Sequence, residues 1–132
     1  MKKYLSSILI ILAFFIEEVP QSSCITTYLG IELTEDISDV NCDNGTITDF
    51  QLSFHCDKKT LNRIVKKFNL TRDGKGIIIN AKQYSWWNKS VIEELRIKYI
   101  TKTVRNKHCS GPWMELFYDK KHSKIYIIRY WL

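Results

Sequence analysis

Apolar residues recur along this chain in three rhythms, and each predicts a different element. The first is continuous: the 13 residues from Tyr4 to Ile16 are interrupted only by Ser6 and Ser7. As a helix such a run reaches about 20 Å, short of the ~30 Å hydrocarbon core of a bilayer. Lys2 and Lys3 precede it and Glu17, Glu18 and Pro20 follow it, so residues 1–23 read as a signal peptide or a short membrane anchor. An N-terminal core helix over Leu5 to Ile16 is the structural alternative. The second rhythm is alternation. From Asp49 to Cys56, Phe50, Leu52 and Phe54 point one way and Gln51, Ser53 and His55 the other, which predicts a half-buried strand. Ile37 to Cys42 predicts a shorter strand before it. Asp43-Asn44-Gly45-Thr46 follows, carrying the Asn-Gly hairpin signal because both turn residues tolerate positive φ. The third rhythm is helical: Leu61, Ile64, Val65 and Phe68 fall at i, i+3, i+4 and i+7, and Asp57 is placed to cap them.

Beyond this helix the signals shorten. Arg72 to Gly76 is a turn, and Ile77 to Ile79 is a brief β-prone run. A second helix is predicted from Ser90 to Ile100, with Ser90 and Glu93 at capping-box spacing and Val91, Ile92, Leu95 and Tyr99 as its apolar face. Lys102 to Pro112 is a polar loop. Trp113 to Tyr118 and Lys124 to Trp131 then flank a turn at Asp119 to Ser123, the pattern of a hairpin. The predicted order is β-β-α-(β)-α-β-β, which places residues 24–132 in one small α+β domain. Its simplest form is an antiparallel sheet of about four to five strands with two helices packed on one face.

Ile37-Ser38-Asp39-Val40, then Asp49 to Phe54 running into Leu61 to Leu70, and the later Trp86-Trp87 pair before a helix and terminal hairpin carry a resemblance. Together they resemble small bacterial envelope proteins and lipoproteins that share a strand–strand–helix start and have no assigned activity. That resemblance implies an envelope location and this fold, and it carries over no catalytic residue.

Charge changes the picture most. Residues 24–57 hold seven Asp and Glu and no Lys or Arg, whereas residues 58–132 hold 18 Lys and Arg against five acids. A basic face that attracts anionic lipid, polysaccharide or an acidic protein follows if this polarity survives folding. Folding of the acidic strands against the basic remainder would leave a mixed surface instead. Nucleic acid is the least favoured anion, since no nucleic-acid-binding motif occurs.

Four cysteines, Cys24, Cys42, Cys56 and Cys109, occur without a CxxC. In an exported chain that favours disulfides over metal. Of the three connectivities, Cys24 with Cys42 and Cys56 with Cys109 is preferred. Ser22-Ser23-Cys24 also resembles a lipoprotein signal, making Cys24 a lipidation candidate and the N-terminus a possible means of membrane association. Gln21 stands where that signal wants an apolar residue.

Candidate chemistry is sparse. His55-Cys56 and His108-Cys109 would suit a Cys₂His₂ zinc site only if both pairs met, and neighbours on a strand point to opposite faces. Glu93 and Glu94 diverge by about 100° on a helix. No nucleophile elbow or phosphate loop is present. No metal or cofactor is expected. Three N-glycosylation sequons begin at Asn44, Asn69 and Asn88. Aromatic residues are the better functional signal, and the predicted binding patch is Tyr84, Trp86 and Trp87 with Arg96 and Lys98, one tryptophan buried and the other exposed. The expected function is non-catalytic binding of a partner protein or an anionic envelope surface, of immunity or inhibitor type, in the periplasm, the outer envelope or the exterior. Two alternatives remain. One is a small hydrolase or metal-dependent enzyme built on His55, His108 or Glu115. The other is a structural envelope component that self-associates through an open edge of the terminal hairpin.

Overall fold

The computed structural model describes residues 22–72, 81–101 and 112–131. Six strands form one antiparallel sheet: β1 (Ser38–Cys42), β2 (Phe50–His55), β3 (Leu70–Arg72), β4 (Ile97–Thr101), β5 (Pro112–Asp119) and β6 (Lys124–Trp131). Their spatial order is β1-β2-β6-β5-β4-β3. The hairpin β5–β6, in register from Pro112↔Trp131 to Asp119↔Lys124, therefore lies at the centre. β2 pairs along β6, and β4 pairs along β5. The hairpin edges are thus paired along Lys124–Arg129 on one side and Glu115–Tyr118 on the other.

Three helical segments accompany the sheet. A π-helical turn (Ile25–Leu29) buries Ile25 and Leu29 and ends at Gly30, whose φ of 61° needs no Cβ. Helix α1 (Lys58–Lys67) is the amphipathic helix the periodicity predicts: Leu61 and Ile64 are buried, and the Asp57 carboxylate accepts from the Thr60 N–H at 3.0 Å. Helix α2 (Lys89–Glu93) is much shorter than the sequence suggests. It is capped by Asn88, not Ser90, and the chain then turns into β4. The expected helix to Ile100 is thus corrected, because Ile97 and Tyr99 also alternate and pair with Tyr118 and Leu116. With β3 added, the sheet has six strands and not four or five.

The helices do not share a face, a second correction. The π turn and α1 cover one face, over Phe50, Leu52, Phe54, Leu116, Ile125 and Ile127. The segment from Ala81 through α2 covers the other, where Trp87 and Ile92 pack on Phe117, Ile128 and Tyr130. Gln51 and Ser53, predicted to face solvent, are 4% and 0% exposed for this reason.

The disulfide joins Cys24 to Cys42, tying the π turn to the end of β1. Such bonds persist in oxidising compartments, in keeping with an exported chain. A sulfur so bonded cannot carry a thioether-linked lipid, which sets aside lipidation of Cys24 in this state. Cys56 is a buried free thiol and not half of a disulfide; its expected partner Cys109 lies outside the described residues. So do residues 1–21, the run Ile77 to Ile79, and His108. Among the described residues no helix is long and apolar enough to cross a membrane.

Candidate functional site

The β1–β2 connection and the strand-like stretch after Ala81 meet over one end of the sheet and leave a groove of about 890 Å³ between them. Asp43, Asn44, Gly45, Thr46 and Asp49 form one wall, and Lys82, Tyr84 and Trp86 the other, with Gln51 and Tyr130 among its lining. Each wall is held in place by a side chain that sequence patterning did not single out.

Tyr28, on the π turn, stacks on Phe50 at 4.6 Å between ring centroids. Its hydroxyl donates to the carbonyl oxygens of Asp43 and Gly45 at 3.0 and 3.2 Å. With the Cys24–Cys42 bond alongside, the acidic wall is fastened to the core at two points. The tight turn itself is centred on Ile47 and Thr48, with Thr46 and Asp49 exchanging backbone hydrogen bonds. Asn44-Gly45 precedes it, so the Asn-Gly signal marks the hairpin but not its tip. Gly45 is required here for a close approach, since a Cβ would collide with the Asp49 carbonyl oxygen.

Gln51 fixes the aromatic wall. Its side-chain amide donates to the Lys82 carbonyl at 2.9 Å and accepts from the Lys82 N–H at 2.7 Å, acting as a substitute strand partner. Five residues on, the Trp87 N–H donates to the Tyr84 carbonyl at 3.0 Å, closing a four-residue turn. That turn sends Trp87 into the sheet, fully buried, and leaves Tyr84 and Trp86 half-buried at the groove. Their rings stack at 4.9 Å and 5°. One tryptophan buried and one accessible is the division expected for adjacent residues. As a fully buried ring, Trp87 supports the site and cannot touch a ligand.

Arg96 and Lys98 do not line this groove. Arg96 is exposed elsewhere, and the Lys98 ammonium donates to the Glu93 carbonyl at 3.1 Å and lies over the Phe117 ring. The patch expected from sequence is therefore reduced to Tyr84 and Trp86, and Asp43, Asp49 and Lys82 join them. No local motif marks these three; only the sheet order brings them together.

The electrostatics of the groove centre on Asp43. Its Oδ1 is buried inside the turn, against Gly45. Burial pushes the carboxyl pKa above the ordinary value, against the backbone N–H groups of Gln51 and Gly45, which lower it. Under the floor, the Tyr130 hydroxyl donates to Glu115 at 3.2 Å; burial first, then the Glu115 charge, raises the Tyr130 pKa.

The groups proposed for catalysis are apart. Glu115 is buried opposite Ile128 on one side of β6, whereas His55 is paired with Lys124 on the other side and four residues along, so the two backbones stand about 16 Å apart. His55 instead contacts the His122 carbonyl and Asp39. Burial, then Asp36 and Asp57, pushes the Cys56 thiol to about 12, which keeps it protonated and unreactive. Among the described residues no group of three or more His, Cys, Asp and Glu is placed to hold a metal ion. The sequon residues Asn44, Asn69 and Asn88 are all exposed, Asn69 at a φ of 51° and Asn88 as the α2 cap.

Comparison with known protein families, with curated proteins and with solved structures found no match.

Proposed function

We propose that this is a non-catalytic exported binding protein that captures a protein partner at the groove between the β1–β2 turn and the Tyr84–Trp86 stack. One observation carries this reading: two accessible stacked aromatic rings face two carboxylates across a preformed cleft. Aromatic side chains supply contact area at low entropic cost, and rigid walls reduce the ordering penalty of association. The separation of His55 from Glu115 and the protonated Cys56 favour binding over an enzyme. A blocking role, of immunity or inhibitor type, fits a site that binds without reacting. The disulfide and the N-terminal apolar run support a periplasmic, outer-envelope or extracellular address.

A second reading rests on α1, which carries Lys58, Lys59, Arg63, Lys66 and Lys67 and no acid. That helix suits an anionic envelope surface, and its binding would weaken with salt.

A photo-crosslinking residue at Asn44, on the groove wall, tests the main reading in cells that naturally make the protein. Crosslinking to a defined partner from position 44, lost with Trp86→Ala and absent from a probe at exposed Glu94, is the expected result. Equal yields from both positions would reject the groove as the site.

A further inference from the structure

Resting on the reading of the groove as a binding site, we propose that its occupant is a cationic side chain, lysine or arginine, presented by the partner polypeptide. Three features converge on this chemistry. Asp43 and Asp49 line the same wall. A pair of neighbouring carboxylates is matched best by an ammonium or guanidinium donor. Across the cleft stand two aromatic rings, whose faces attract cations and on which a guanidinium can lie flat. The raised pKa of Asp43, caused chiefly by burial, is what a carboxylate short of solvation shows before its counter-charge arrives.

Two of the other polar groups in the groove are already committed. Gln51 spends its amide on Lys82, and Tyr130 donates to Glu115. Lys82 is the opposing charge in the lining, but its side chain is exposed and long enough to turn outward.

Titration of the ¹⁵N-labelled, disulfide-bonded protein tests this with N-acetyl-arginine-N-methylamide and its lysine counterpart. The glutamate analogue and maltose serve as the anionic and sugar arms. The cationic probes are expected to shift the amides of residues 43–49 and the Trp86 indole N–H saturably. Asp43→Asn should weaken the effect about tenfold or more, the scale of a charge-assisted hydrogen bond. Asp49→Asn is the second variant; its side chain is exposed, so folding is not at issue. A preference for glutamate or maltose, or unchanged cation binding by both variants, would overturn the proposal. If the cation probes fail while crosslinking from position 44 persists, the groove remains a site and only its ligand class is wrong. If both fail, the binding reading falls with it.

Discussion

At the scale of single residues, the second face of the sheet is organised around Trp87. Its ring is fully buried, edge-on to Trp86 and to Tyr126, and its Nε1–H has no partner among the described residues. Trp87→Ala should cost about 3–5 kcal/mol in urea unfolding, the usual cost of emptying a large aromatic site. Trp87→Phe should cost clearly less, because it also removes an unmatched buried donor; equal losses would mean that the indole N–H is bonded after all. Asp36 makes the opposite kind of contribution. Thr34 and Thr60 hydroxyls and the Asp57 N–H all donate to its carboxylate, linking the loop before β1 to the start of α1. Partial burial pushes its pKa up, yet these donors outweigh it and hold it well below the ordinary value. A depressed folded-state pKa gives stability that is present above the unfolded value, about 3.9, and is lost as pH falls towards the folded one. Thermal melts from pH 7 to pH 2.5 should therefore show the wild type losing more stability than Asp36→Asn, and parallel curves would refute the assignment. Neither residue announced its job in the sequence. Trp87 was one of two equivalent tryptophans, and the Asp36 partners lie up to 24 positions away.

At the scale of elements, the stretch from Ser90 to Thr101 shows where periodicity runs out. Val91, Ile92, Leu95 and Tyr99 satisfy a helical face, while Leu95, Ile97 and Tyr99 satisfy a strand equally well. Pairing with β5 decides for the strand, a long-range effect that no local window contains. In the remaining helical turn Ile92 is buried and Val91 is 49% exposed. Ile92→Ala is therefore expected to cost about 2–4 kcal/mol and Val91→Ala well under 1, read from paired denaturation midpoints. A continuous helix would make both costly. By contrast, β2 and α1 were fully legible, because a strict period of two and a capped amphipathic stripe each admit a single element. The second face was not: Gln51 and Ser53 look like solvent positions until the segment after Ala81 is laid over them.

At the scale of the whole molecule, the segregation of charge along the chain survives only in part. The cations of α1 form one basic surface, but the groove mixes Asp43 and Asp49 with Lys82. The candidate site was half legible for the same reason. Tyr84 and Trp86 stood out by type, whereas their acidic counterparts arrive from residues some forty positions earlier through the order of the sheet. That order also dictates a sequence of events. The two early pairs, β1–β2 and β3–β4, wait for strands made late: β2 has its inner neighbour only when β6 exists, with Phe50 opposite Arg129, and β3 and β4 join the sheet only through β5. The central hairpin is the keystone, and it leaves the ribosome after all the elements it supports. Until residues 124–131 are present, only local pieces such as α1 and the β1–β2 turn can form, because the remaining strand pairings span most of the chain. A growing chain of this design carries its sheet unassembled until the central hairpin is made.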